Sequence, residues 1–419
     1  MPVSMAGSRG GVIRRTQEAR QSNFIENLLT GHVSVNDLHQ QFAAESCPKS
    51  VTLVVNNSCN LSCGHCYLQV KELTASALTE TEWKSLIDSV ANIDPELVCL
   101  SGKEVFLGNR GARLLSYLRE AKERTDASYR IGLITNGTLV HKHKESILQA
   151  QPNYFDISLD GIEADHDAVR GQGAFAQALP NVEWAAQTFD ENFFVTLTVQ
   201  KQNVDRLREA VQFLNQRGLQ NIVCGFYLPL SYTTPHLALS DSDVDKVLDQ
   251  LSDLGDVPLE GPLNILFDLD ITNLQSLKAF LRSKWFSLED VQQDSNGEYF
   301  IEHWLNNNLR LEFRFAPFPT GIWKSMRITP EGNYLAAEDT IDTTKYAERA
   351  IGNVRDFNYD FSALHAHALA SDRFREIVQE YYDEVLPELQ AAFCRNSPLE
   401  TAAYFGEAVT QTTTVSLSA

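Results

Sequence analysis

Val51-Thr52-Leu53-Val54-Val55-Asn56-Asn57-Ser58-Cys59-Asn60-Leu61-Ser62-Cys63-Gly64-His65-Cys66-Tyr67 puts a β-rich run directly ahead of three cysteines packed within eight positions. Three thiolates on so short a loop can converge on one metal centre, and Gly64 allows a tight backbone path between them. Three protein ligands to a four-iron cube leave one iron open for an external ligand. The spacing alone also admits a zinc site with His65 as fourth ligand, or buried structural thiols.

Working outward from residue 51, short β-rich runs alternate with helical stretches for about 180 residues. Strands are expected over 51–55, 97–100, 129–135, 154–159, 193–199 and 222–228, with amphipathic segments over 82–93, 113–124 and 204–214 between them. Thr79 with Glu82 three residues on is a capping-box pattern announcing the first of these helices. Such alternation implies right-handed βαβ crossovers and a parallel sheet. Six units are too few to close an eight-stranded barrel, so a partial (β/α)6 barrel is expected, with ligands at the carboxyl ends of its strands. Past residue 255 the rhythm is expected to break. Residues 256–308 read as acidic and irregular, with Trp285, Phe300 and Trp304 as apolar anchors, and a hairpin over 324–328 and 334–337 turns at Pro330-Glu331-Gly332-Asn333. Helical pattern returns over 372–391. The expected division is 1–48 as an N-terminal extension, 49–255 as the barrel, 256–395 as an α+β capping domain and 396–419 as a tail.

The chain of 419 residues is 43% hydrophobic and 10% aromatic, a folded composition. With 35 basic against 55 acidic side chains its formal charge is −20, which argues against a nucleic-acid backbone or an anionic membrane as partner. It has neither an apolar run long enough to span a bilayer nor the apolar core of a signal peptide, so a cytoplasmic protein is expected. Seven cysteines, three of them clustered, favour metal ligation over a disulfide framework.

The C-x3-C-x2-C arrangement after the first strand resembles the radical S-adenosylmethionine (SAM) superfamily, and Cys59-Asn60-Leu61-Ser62-Cys63-Gly64-His65-Cys66-Tyr67 resembles its peptide- and cofactor-maturing branch with SPASM or twitch C-terminal domains. Further motifs follow in order. Ser101-Gly102-Lys103-Glu104 is similar to the Gly-Gly-Glu motif that holds the SAM amino group, and Thr135-Asn136-Gly137 ends the third strand. Ser158-Leu159-Asp160-Gly161, with His166-Asp167-Ala168-Val169-Arg170-Gly171 after it, is similar to the region that reads the SAM ribose and carboxylate. The resemblance implies one [4Fe–4S] cluster on Cys59, Cys63 and Cys66, and SAM held by Gly102, Lys103, Glu104, Thr135, Asn136, Ser158, Asp160 and Arg170. Those side chains have the chemistry that SAM requires, with a carboxylate for the amino group, a guanidinium for the carboxylate and short polar groups for ribose hydroxyls. The plainer reading of Asp160 and Arg170 is a turn residue and a surface cation. Lys103 stands where the family has its second glycine and Val105 where it usually has proline, so Lys103 would either shift SAM or bind an anion itself. His166 and Tyr67 read more simply as packing or turn residues than as acid–base groups.

Arg327 to Asn333, followed by Ile351-Gly352-Asn353-Val354-Arg355-Asp356, resembles the SPASM-type hairpin and its Ile-Gly-Asn element. The stretch where that family carries auxiliary-cluster cysteines is here Tyr334-Leu335-Ala336-Ala337-Glu338-Asp339, and only Cys394 lies beyond residue 224. A single cluster and a cysteine-poor SPASM/twitch-like cap are therefore expected. Without a second cluster to accept an electron, redox-neutral outcomes become attractive. The expected enzyme abstracts hydrogen from a ribosomally made peptide, with epimerisation favoured and Cys394 as hydrogen donor; Cys47, Cys99 and Cys224 are the alternative thiols, and the plainer reading of Cys394 is a small buried hydrophobe. A flavodoxin- or ferredoxin-type reductant is implied. Radical chemistry on a sugar or other small metabolite, or a non-catalytic metal-binding protein, are the competing readings.

Overall fold

The computed structural model describes residues 24–43, 47–66, 68, 77–229, 235–294, 298–319, 324–336 and 346–394. Tyr67, Glu338, Asp339 and the expected tail over 396–419 lie outside the described residues.

All six expected strands form, each within two residues of its expected ends: β1 (Ser50–Val54), β2 (Leu97–Ser101), β3 (Arg130–Thr135), β4 (Tyr154–Ser158), β5 (Phe193–Val199) and β6 (Asn221–Phe226). They pair in sequence order, every pair parallel. Along β5, Phe193, Val195, Leu197 and Val199 are buried under the covering helices while Thr196 and Thr198 face the other way. That period of two separates an apolar outer face from a polar inner one.

The covering helices start where local chemistry tells them to. The helix Glu80–Ile93 opens with the complete capping box: Glu82 N donates to Thr79 Oγ1, and Thr79 N donates to Glu82 Oε2 at 2.7 Å. Its apolar stripe buries Trp83, Leu86, Ile87 and Val90 against the sheet. Burial of such side chains is worth about 1.5–3 kcal/mol each.

The rhythm does not break at residue 255. β7 (Leu263–Asp270) pairs parallel with β6, and after the helix Leu274–Arg282 come β8 (Gln292–Gln293), β9 (Tyr299–Asn306) and β10 (Leu309–Ala316), the last parallel to β7. β11 (Ser325–Ile328) returns to the opposite edge and pairs parallel with β1, followed by β12 (Asn333–Ala336) and β13 (Gly352–Asn353). The described strands make one sheet in the order β13-β12-β11-β1-β2-β3-β4-β5-β6-β7-β10-β9-β8. The stretch over 256–308 is thus regular. Its acids disguised β7, where Asn264, Asp268 and Asp270 occupy inner positions between buried Leu263, Ile265, Phe267 and Leu269.

Trp285 is the anchor it was expected to be, buried with its Nε1 donating to Leu248 O. Trp304 is not: at 61% exposure it stands in solvent. Outside the sheet Phe280 stacks on Phe313, which stacks on Phe267, with centroids 4.9 and 5.2 Å apart. The hairpin of β11 and β12 turns at Gly332, whose φ of +86° and 2.7 Å approach of a would-be Cβ to Val354 Cγ2 require glycine. The expected helix over 372–391 is observed as Asp372–Glu380, a π-turn Tyr381–Val385 and Leu386–Cys394.

Candidate active site

The inner face of the sheet encloses a cavity of about 560 Å³, reached by the carboxyl ends of β1 to β5 and walled on one side by the cysteine loop. Cys59, Cys63 and Cys66 all line it. Their loop is fastened at several points. Gly64 N donates to Val169 O at 2.9 Å, tying it to the helix Glu163–Arg170. Asn60 Nδ2 donates to Thr138 Oγ1 at 2.9 Å, and Asn136 Nδ2 to Asn60 Oδ1 at 3.1 Å, tying it to the end of β3. Leu61 N and Asn136 Nδ2 also point at Cys59 Sγ, 3.3 and 3.5 Å away, a polarity that suits a ligating thiolate.

Burial pushes the Cys59 thiol up and the Cys63 thiol up to about 12, Arg170 opposing the rise at Cys63. Deprotonating such thiols calls for a positive centre to bind them. Among the described residues no three His, Cys, Asp or Glu side chains stand close enough to hold a single metal ion. Three thiols facing one cavity fit the corners of a cluster. His65 lines the same cavity and faces the Asp160–Arg170 pair, with Nε2 3.6 Å from Asp160 Oδ2 and 3.4 Å from Arg170 Nη2.

Gly102, Lys103, Thr135, Asn136, Ser158 and Arg170 line the same cavity. Glu104 and Asp160 do not; both are buried behind the wall. The Glu104 carboxylate accepts from Thr135 Oγ1 at 2.8 and 3.0 Å, from Asn136 N at 2.8 Å and from Phe106 N at 2.9 Å. Burial raises its pKa against those donors. With four contacts made, Glu104 holds the end of β3 in place. Asp160 accepts from Arg170 Nε at 2.6 Å and from Thr198 N at 3.0 Å. Burial works to raise the Asp160 carboxyl, yet Arg170 outweighs it and holds the group below the usual carboxylate range. Arg170 is therefore a buried, oriented guanidinium at the cavity wall, not a surface cation. His166 is a packing residue, as expected: its ring is fully buried, and its Nδ1 accepts from Asp160 N at 3.2 Å.

Cys394 is not in the cavity wall. It ends the helix Leu386–Cys394, which packs on Leu274–Arg282 outside the sheet. Its expected part as hydrogen donor is lost for that reason. Cys99 and Cys224 are buried and equally absent from the wall.

Sequence reading missed the inner-facing Asp156, Thr196, Thr198, Asp268, Asp270 and Arg327, all of which line the cavity. They come one or two per strand, so no contiguous motif announces them; the alternation of polar with buried apolar positions is the signal that marks them. Asp156 accepts from Thr196 N and Oγ1 at 3.1 and 2.7 Å, and burial raises its pKa to about 6.

Residues 53–214 match the Radical SAM superfamily. Over that stretch the chain resembles a radical SAM domain. Such a domain uses a [4Fe–4S] cluster and SAM, and the three cavity-lining thiols fit that cluster. Among characterised proteins the chain is similar to the AdoMet-dependent heme synthase of Methanosarcina barkeri, 29% identical over 210 residues, 49% of this chain and 58% of that one. It is also similar to the Bacillus subtilis antilisterial bacteriocin subtilosin biosynthesis protein AlbA, 26% identical over 178 residues, 41% of this chain and 38% of that one. The chain spans about half the length of the curated relatives it matches. In fold it resembles Streptococcus suis SuiB bound to S-adenosylmethionine, with a TM-score of 0.52 at 14% identity over 83% of this chain and 68% of that one. It likewise resembles anSMEcpe with bound AdoMet, with a TM-score of 0.54 at 13% identity over 87% of this chain and 98% of that one. C-terminal to the matched residues the chain extends the same sheet at both edges, β6 pairing with β5 and β11 with β1. No helix among the described residues is long and apolar enough to cross a membrane.

Proposed function

We propose that this chain is a radical SAM enzyme that removes a hydrogen atom from a peptide substrate entering the sheet-lined cavity. The observation that carries the reading is the convergence of Cys59, Cys63, Cys66 and the oriented Arg170 on one polar cavity at the strand ends. Cys59, Cys63 and Cys66 would hold the cluster, and Gly102, Lys103, Thr135, Asn136, Ser158 and Arg170 would contact SAM. Cluster and SAM together would supply a reduced metal centre and a carbon radical able to abstract hydrogen. The rest falls to the protein. Arg170, held by Asp160, offers its guanidinium to a carboxylate. Glu104 fixes Thr135 and Asn136, so it is a positioning residue rather than a ligand. The cysteine loop and the sheet restrict water at the reacting centre.

Peptide as substrate is supported by the names of relatives: the subtilosin biosynthesis protein, the sporulation killing factor maturation protein SkfB and the mycofactocin maturase MftC. With one cluster motif in the sequence, epimerisation at a Cα is the economical reaction. The hydrogen returned to the opposite face would come from a group other than Cys394. A cysteine-poor SPASM/twitch-like C-terminal part, a flavodoxin- or ferredoxin-type reductant and a cytoplasmic setting complete the proposal. A small, non-peptide substrate is the second reading, favoured by relatives named as heme and Fe-coproporphyrin III synthases. Reductive assays in deuterated water separate them. Peptide-stimulated 5′-deoxyadenosine formation with deuterium at one Cα supports the first; stimulation by a tetrapyrrole and by no peptide supports the second.

A further inference from the structure

Resting on the radical SAM reading, which needs an electron from outside, we propose that His141-Lys142-His143-Lys144, with Leu107 and Leu148 beside it, is the docking surface for a small acidic one-electron carrier protein. The segment follows β3, whose carboxyl end is bonded to the cysteine loop.

The charge is unusual for this chain. The protein carries −20, yet no acid stands between Asp126 and Glu145, and nowhere else do three or more Lys, Arg or His residues adjoin. Other exposed cations are answered by carboxylates: Arg113 by Glu80 at 2.7 Å, Lys201 by Asp243 at 2.7 Å and Lys246 by Asp205 at 2.8 Å. Among the described residues no carboxylate answers Lys142 or Lys144, and Lys144 Nζ lies 4.5 Å over the Trp184 ring instead. A charge run that is merely a solvated face needs neither apolar neighbours nor a route to the cavity. This one has both.

Leu107, Leu148 and Trp304 are the large apolar side chains left exposed among the described residues, and the first two flank the run. Phe106 stacks on His143 with centroids 4.9 Å apart, which brings Leu107 next to it. Leu148 comes four residues after Lys144 on the helix Lys144–Ala150, so the two share a face. Exposed leucines beside basic groups supply adhesion and steering for a transient contact with an acidic protein. Electron-transfer encounters bury less than about 1,200 Å², so a patch of this size is enough.

The route inward is short. Thr138 Oγ1 accepts from Asn60 Nδ2 at 2.9 Å, and Asn136 Nδ2 points at Cys59 Sγ from 3.5 Å. His141 is three residues beyond Thr138, at most about 11 Å of chain. Asn60 and Ser62 of the cysteine loop are themselves exposed. A carrier seated on the run would lie against the outside of the loop whose thiols face the cavity. One electron passes: the carrier is oxidised by one, the centre held by the thiols is reduced by one, and docking makes or breaks no bond.

Oxidised flavodoxin, an acidic carrier, is titrated into the reconstituted protein by calorimetry at ionic strengths of about 0.01 and 0.15 M, between which the Debye length falls from about 30 to 8 Å. The parent's affinity should drop at least about tenfold between the two. At the lower ionic strength, His141→Glu combined with Lys142→Glu, and separately Leu107→Asp, should each bind at least about tenfold more weakly than the parent. A control on the helix Asp372–Glu380, Arg375→Glu, should bind as the parent does. SAM cleavage driven by reduced flavodoxin should fall in the same variants, while cleavage driven by dithionite, which needs no docking, should hold. Unchanged affinity in the combined variant, binding insensitive to salt, or no binding of flavodoxin at all overturns the surface. So does equal loss of cleavage with both reductants, since the substitutions would then act on the site and not on docking. Absence of dithionite-driven cleavage in the parent is instead a failure of the radical SAM reading, and the calorimetry still decides the surface. Unchanged thermal melting establishes that the variants are folded.

Discussion

Arg170 Nε lies 2.6 Å from Asp160 Oδ2, and the two side chains are buried together while the guanidinium still borders the cavity. Their order in the chain explains the pairing: Asp160 follows β4, and Arg170 closes the short helix Glu163–Arg170 that comes next. Removing one partner of a buried pair leaves the other charge uncompensated, at a cost of about 3–5 kcal/mol. Asp160→Asn keeps an acceptor for Arg170, so a loss of about 3 kcal/mol is expected in urea unfolding. SAM affinity by equilibrium dialysis should fall at least about tenfold, because the guanidinium is no longer aimed. Full SAM affinity in Asp160→Asn would mean Arg170 is not a ligand.

Glu104 gives a contrasting expectation. Its carboxylate serves Thr135, Asn136 N and Phe106 N rather than the cavity. Glu104→Ala strands two buried backbone donors at about 1–3 kcal/mol each. Unfolding stability should drop by that order, with iron content after reconstitution preserved. Loss of SAM binding with stability unchanged would instead make Glu104 a direct ligand.

Asp156 sets a pH dependence. Its folded-state pKa, raised by burial to about 6, lies above the roughly 3.9 of an unfolded aspartate. The folded protein therefore binds the extra proton, so this group's contribution is complete below about pH 4 and is lost as pH rises through about 6. The span of about two pH units corresponds to about 3 kcal/mol. Urea unfolding of the parent relative to Asp156→Asn, at pH 4.5, 6 and 7.5, should show the parent losing ground as pH rises. A flat difference would contradict the burial of that carboxyl.

Much of this was legible in the chain. The strands β1 to β6 declare themselves by β-branched runs, and Thr79 with Glu82 announces a cap that forms as expected. The cysteine loop and the polar strand ends follow as local motifs. What was not legible is carried by register. β7 hid behind its own acids, and Asp156 finds its partner only in Thr196, which lies on another strand. Cys394 shows the converse: a plausible reactive side chain whose helix docks on the wrong side of the sheet.

The same cap couples the domain to its C-terminal flank. Glu82 also accepts from Arg355 Nε at 2.7 Å and Tyr359 Oη at 2.7 Å, and these donors hold its carboxyl below the usual range. Thr79→Ala should cost about 1 kcal/mol. Glu82→Ala should cost more, since it frees Arg355 and Tyr359 as well, by up to about another 1 kcal/mol for partly exposed contacts. Equal losses in the two variants, read by thermal unfolding, would show that the link to residues 355–359 carries no stability.

The central claim is that Cys59, Cys63 and Cys66 hold a cluster that opens SAM. Anaerobic reconstitution with iron and sulfide, followed by iron counting and assay of reductive SAM cleavage, tests it most directly. The account expects about four irons per chain and accumulation of 5′-deoxyadenosine, both lost in Cys63→Ala. One tightly held zinc, or iron that never supports SAM cleavage, would contradict it.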